Sequence, residues 1–174
     1  RLAQLRQQSC EDLRDKIIDD TRSLLLAGNF TAADLQFESL PEDFVANDLL
    51  AGRYAEQARV LKNAHDRFRR YLHRSIDQEV RLIAIDGSKL FGTITVVDNE
   101  NYQIHYLGQA HIPLQLLDLD ADEVFKLIKS DSNFELAQFL YLQGRHEQAR
   151  TNMRLFAADQ PKKAQWWLKK WPKP

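Results

Sequence analysis

A chain of 174 residues that is 44% hydrophobic can bury one good core or two small ones, since domains usually run to about 100–150 residues. Its formal net charge of -1 excludes a global field that would draw in nucleic acid or an anionic membrane, and leaves only local patches for such work. The lone cysteine, Cys10, excludes an internal disulfide and suits a reducing compartment, so the cytoplasm is the default location. No apolar run approaches the roughly 18 residues needed to cross a bilayer. The opening Arg-Leu-Ala-Gln-Leu-Arg resembles neither a signal peptide nor a native start, so the chain is expected to be a segment of a larger protein.

From Ser9 to about Ser75 the apolar residues recur at three and four, as in Leu13, Ile17, Ile18, Leu24 and Leu25, then Leu61, Ala64, Phe68, Leu72 and Ile76. That period predicts four helices, the last of them long. Gly28 with Asn29, and Gly52, are expected to end helices, and Ser39 to cap the next one with Glu42 reaching back to it. From about Glu79 to Leu117 the chain is rich in β-branched and aromatic residues, broken at Asp86-Gly87, Asp98-Asn99 and Gly108. This predicts a meander of about four short strands, with Ile94, Val96, Ile104 and Ile112 feeding a core. Beyond it, Asp120 and Ser132 each stand three positions before a glutamate, which predicts helix starts. Helices then continue to Lys170. The fold class is therefore α+β, divided as a helical region over 1–78, a small β-module with a short helix over 79–129, and a helical hairpin with a terminal helix over 130–174.

The stretch "FLYLQGRHEQAR" at 139–150 reads as a helix, a glycine break at Gly144 and a second helix. With Leu136, Ala137, Leu140 and Tyr141 before the break, Ala149 and Met153 after it and Pro161 closing the unit, residues 130–163 resemble a tetratricopeptide-type repeat of roughly 34 residues. Small residues there let two helices approach, and the glycine takes the positive φ at the helix end. Residues 91–128, carrying Gly92, Ile94, Val96, Ile104, Gly108, Ile112, Pro113, Leu114, Leu117, Asp122 and Val124, resemble the small SH3-like barrel of the Sla1 homology type. The family's Arg-x-Trp opening is absent, so this resemblance implies the fold and not the family's peptide binding. Together the two resemblances imply helical hairpins flanking an SH3-like meander, in a scaffold of bacterial type.

No catalytic, cofactor-binding or metal-binding residue is assigned. "DLDADE" at 118–123 has the alternating acids of a calcium loop, but Glu123 stands where glycine is needed and Lys129 where a bidentate glutamate is needed. It reads instead as an acid-capped helix start. If Leu107-Gly108 is a two-residue turn, His105 and His111 point to opposite faces of the sheet and cannot be joint ligands. His65 and His73 lie two turns apart on one helix with no third ligand, and Cys10 beside Glu11 and Asp12 lacks the positive surroundings of an activated thiolate. No phosphate-loop, dinucleotide, nucleophile-elbow or zinc-helix motif is present in the sequence.

Two basic patches remain. On the helix over 59–74, Arg59, Lys62, Arg69, Arg70, His73 and Arg74 fall outside the Leu61, Phe68, Leu72 face. In the tail, Ala164, Trp167, Leu168 and Trp171 make an apolar face, and Trp166 falls off it among Lys162, Lys163, Lys169 and Lys170. The expected function is a non-catalytic protein–protein interaction or scaffold role for an unidentified protein partner. Its candidate contact residues are Arg59, Lys62, Arg69, Arg70, Trp166, Lys169 and Lys170, and its structural turns Gly28, Gly52, Gly108 and Gly144. The alternative is a nucleic-acid-binding accessory region using the same basic residues, and third comes an enzyme without a recognisable motif. The sequence assigns no oligomeric state.

Overall fold

The computed structural model describes residues 2–98, 101–106 and 110–172. Its class is α+β: α-helices, and one antiparallel sheet of four strands in the order β1-β2-β3-β4. The chain divides into two compact units, residues 1–63 and 64–174, with the boundary inside a long helix.

The first unit begins with α1 (Leu2–Leu26), which buries Ile17, Ile18, Thr21 and Leu25; Leu13, on the expected apolar face, is 39% exposed. Gly28 ends α1 at φ +76°. There the Asn29 N–H donates to the Leu24 carbonyl (2.8 Å) and the Gly28 N–H to Leu25 (3.0 Å), the paired bonds that close orphan carbonyls at a helix end. Asn29 then caps α2 (Phe30–Leu35) by accepting from the Ala32 N–H.

The expected Ser39 cap does not form. Ser39 is still within a 3₁₀ turn (Gln36–Ser39), its hydroxyl donates to the Gln36 carbonyl (2.8 Å), and α3 (Glu42–Asn47) starts at Glu42 behind Pro41. Glu42 is thus the first helical residue, two positions short of the third, from which it could reach back. Gly52 is likewise not a turn. Asp48 caps the next helix, accepting from the Ala51 N–H at 2.8 Å, so α4 (Leu49–Arg74) already includes Gly52 in its first turn. A Cβ on Gly52 would lie 3.1 Å from the Val45 carbonyl oxygen, so glycine serves close approach there.

The second unit contains the rest of α4 and everything after it. Ala64, Phe68 and Leu72 are buried along α4, as the sequence period requires. The sheet is a continuous meander of β1 (Glu79–Ile83), β2 (Lys89–Val96), β3 (Tyr102–Tyr106) and β4 (Ala110–Pro113). Its inner face buries Val80, Leu82, Ile94, Tyr102 and Ile104, with Ile112 half-buried. Val96 points to the same side as Ile94 but lies at the end of β2, past the core, and is 44% exposed. Residues 118–120, following a 3₁₀ turn (Leu116–Asp118), return to the end of β1: Ala84 bridges Leu119, the Ile85 N–H donates to the Asp118 carbonyl, and the Asp120 N–H donates to Ile83, both at 2.8 Å.

Asp120 and Ser132 cap α5 (Ala121–Leu127) and α6 (Asn133–Leu142) through the N–H groups of Glu123 and Glu135, at 3.2 Å each. The Glu135 carboxylate binds Arg67 and the Ser130 hydroxyl instead of returning to its own cap. Gly144, at φ +75°, ends α6 with the same paired bonds as Gly28, and α7 (His146–Phe156) follows. Ala137 and Ala149 are wholly buried where these two helices pack. Pro161 opens α8 (Pro161–Lys170), a position where its missing N–H is not needed. Trp167 and Trp171 bury the apolar face of α8, Tyr141 stacks on Trp171 at 4.7 Å, and Arg150 donates to the Leu168 carbonyl (2.9 Å) at the helix end. Gly108 lies outside the described residues.

Candidate functional site

The last two turns of α4 carry Asp66, Arg69, Arg70, His73 and Arg74 along one wall of a cleft of about 580 Å³ in the second unit, and Tyr102 of β3 supplies the other wall. The helical period explains the gathering, because residues three and four apart share a face. Leu72 and Phe68 face the core, which turns Arg70, His73 and Arg74 outward, and all three are exposed. Basic residues also suit this end of the helix, where the unpaired carbonyls carry partial negative charge.

Tyr102 is largely buried, and its hydroxyl stands 3.5 Å from Nδ1 of His73. The Arg70 Nε donates a long bond (3.4 Å) to the Asp66 backbone carbonyl. Neither Arg70 nor Arg74 has an ion-pair partner among the described residues. Three arginines, a histidine and one aspartate thus line a concave, solvent-accessible place. Such a site attracts carboxylates or phosphates, which guanidinium groups bind in a two-pronged fashion.

The other sequence-predicted contact residues are elsewhere. Arg59, exposed, and Lys62, half-buried, belong to the first unit's stretch of α4. Lys169 and Lys170 are exposed at the end of α8, with the Lys170 ammonium 5.7 Å from the centre of the Trp166 ring. Trp166 itself is half-buried and packs edge-on against Trp167 at 4.8 Å. Lys163, expected on the solvated side of this tail, is 7% exposed, and its ammonium lies over the rings of Phe134 (4.2 Å) and Phe156 (5.4 Å). The cation–π attraction of two aromatic faces accounts for that burial. The tail therefore presents fewer free charges and less free aromatic surface than its composition suggests.

Sequence reasoning missed two members of the cleft, Asp66 and Tyr102. The place of Tyr102 follows from strand pairing, Val96 with Tyr102, which no local signal reveals.

His105 and His111 are also placed differently from expectation. They are direct cross-strand partners, with rings stacked at 4.5 Å between centroids and 9° between planes. Tyr106 pairs with Ala110, so residues 107–109 separate the paired ends, one more than a two-residue turn allows. A shift of one residue in register moves a side chain to the opposite face, and this shift brings the two histidines together.

Among the described residues no group of three or more histidine, cysteine, aspartate or glutamate side chains is arranged to hold a metal ion, and no helix is long and apolar enough to cross a membrane. No protein-family model, curated protein or solved structure matches the chain.

Proposed function

We propose that this chain is a non-catalytic interaction region that binds an acidic segment of a protein partner through the cleft of Arg69, Arg70, His73, Arg74 and Tyr102. The observation that carries the reading is the concentration of three arginines on one concave wall, opposite a buried tyrosine, in a chain whose formal net charge is only -1. Charge gathered at one place in an otherwise balanced chain gives local recognition and faster encounter without a general affinity for polyanions. A cytoplasmic setting belongs to the same proposal, on the strength of the single cysteine.

The architecture proposed for this role is a tetratricopeptide-type hairpin of α6 and α7 beside an SH3-like meander. Support for the hairpin comes from the wholly buried Ala137 and Ala149 and from the positive φ of Gly144. Support for the meander comes from the return of residues 118–120 to β1 after a 3₁₀ turn, which brings the two ends of the sheet toward closure.

Nucleic acid is the second reading, favoured by the Lys170 ammonium over the Trp166 ring. The half-burial of Trp166 and the burial of Lys163 weigh against it, because base stacking needs an open aromatic face. A competition experiment separates the two. With a fluorescent glutamate-rich peptide bound, unlabelled acidic peptide should displace it at lower concentration than a single-stranded oligonucleotide of equal charge. Displacement in the opposite order would replace the protein reading with the nucleic-acid one.

A further inference from the structure

The sheet holds a second feature that the cleft does not use. Along the β3–β4 ladder, the Leu114 N–H donates to the Tyr102 carbonyl at 2.9 Å, which makes Tyr102 and Leu114 a hydrogen-bonded pair. Hydrogen-bonded and non-hydrogen-bonded pairs alternate in an antiparallel ladder. Ile104 with Ile112 is then hydrogen-bonded, while Gln103 with Pro113 and His105 with His111 are not. Pro113 fits this phase, since it has no N–H to give and β4 lies at the edge of the sheet. Non-hydrogen-bonded pairs bring their side chains closest together, with Cα atoms about 4.5 Å apart. The two imidazoles therefore rise from the ladder side by side.

The histidine face of the sheet also carries Glu79, Arg81 and Lys89. The row that holds them runs from Glu79 through Thr93 to His105 and His111. His105 is half-buried and His111 exposed.

We propose that His105 and His111 form a two-imidazole binding site for a divalent late transition metal of the Zn²⁺ or Ni²⁺ type, with water at the remaining positions. Neutral imidazole is the commonest protein ligand for such ions, and bonds of about 2.0–2.1 Å to a shared metal require the two rings to turn out of their parallel stack so that one nitrogen of each points at the ion. Mg²⁺ and Ca²⁺ favour oxygen ligands, so the site discriminates against them. The proposal rests on the sheet register and is independent of the reading of the cleft.

The test is titration of the full, untagged chain with Zn²⁺, Ni²⁺ and Mg²⁺ by calorimetry. One equivalent of Zn²⁺ should bind in the micromolar range, with no detectable Mg²⁺ binding. His105→Ala and His111→Ala should each weaken Zn²⁺ binding roughly 100-fold, as expected when a linked pair of ligands becomes a single one. His146→Ala should leave it unchanged. The absence of saturable Zn²⁺ binding by the parent, or equal binding by the His105→Ala/His111→Ala double variant, would overturn the proposal. Imidazole resonances give a second reading that needs no variant: Ni²⁺ should broaden His105 and His111 first, and broadening centred on another histidine would refute the site.

Discussion

Gly92 of β2 lies directly against the backbone of β3, and an alanine there tests the β2–β3 register directly. A Cβ added to Gly92 would lie 2.1 Å from the His105 carbonyl oxygen, 2.8 Å from its carbon and 3.2 Å from Cγ1 of Ile104. Two of these three atoms are backbone, so no side chain can swing away to relieve the clash. The strands must move apart by roughly an ångström for normal carbon–oxygen contact, beside the wholly buried pair Ile94 and Ile104. Overpacking of this kind costs about 1–3 kcal/mol, and a weakened ladder hydrogen bond adds about 1 kcal/mol. Gly92→Ala should therefore lose roughly 2–4 kcal/mol. For a chain of this size that corresponds to a fall in Tm of roughly 5–15 °C. The assay is thermal and urea unfolding followed by tryptophan fluorescence, since Trp166, Trp167 and Trp171 all belong to the second unit with the sheet. Phe91→Ala, one residue away but exposed, should change stability by no more than about 0.5 kcal/mol and serves as the control. A Gly92→Ala variant as stable as the parent would refute the register of β2 on β3, and with it the placement of Tyr102.

Two further outcomes are expected. Gly144→Val should destabilise by about 1–3 kcal/mol, because a β-branched residue is strained at φ +75°; an unchanged Tm would remove the turn between α6 and α7. Asp48→Asn should cost about 1–3 kcal/mol at neutral pH, since asparagine keeps the cap but loses the charge-assisted bond to Arg14 at 2.7 Å. Burial raises the Asp48 carboxyl, but the Ala51 N–H, Arg14 and the Leu50 N–H together hold it below its ordinary value of 3.8. The stabilisation is thus fully present above that ordinary value and is lost as pH falls through the lower folded value. The stability gap between parent and Asp48→Asn should stay constant down to mildly acidic pH and close only in strong acid; a gap that closes near neutrality would contradict this.

Local chemistry made much of the fold legible. Gly28, Asp120, Ser132 and Gly144 act within one turn of chain, so their roles as helix ends and starts can be read from neighbouring residues. The strands of the meander are legible in the same way, through their β-branched and aromatic residues and the turn residues between them. Gly52 was misread because glycine serves both a helix end and a close backbone approach, and only the distance to Val45 distinguishes them. Ser39 was misread because its hydroxyl had a nearer acceptor in Gln36. The candidate site was half legible: helical spacing gathers Arg69, Arg70, His73 and Arg74, whereas Tyr102 joins them only through strand pairing. One residue of turn length decides whether His105 and His111 share a face, because a single-residue shift of register reverses a strand's faces. Lys163 was assigned to solvent because composition does not reveal the two aromatic rings that receive it.

The account's central claim is that the arginine wall at the end of α4 recognises an acidic segment. Anisotropy of a labelled glutamate-rich peptide, titrated with the parent, with Arg70→Glu/Arg74→Glu and with Lys169→Glu/Lys170→Glu at about 0.1 M salt, tests it most directly. All four substituted residues are exposed, so both variants should keep the parent's unfolding curve. Saturable binding by the parent that weakens with added salt, is abolished by Arg70→Glu/Arg74→Glu and survives Lys169→Glu/Lys170→Glu is the result expected. Equal binding by the parent and the Arg70→Glu/Arg74→Glu variant, or loss of binding only in the Lys169→Glu/Lys170→Glu variant, would contradict it.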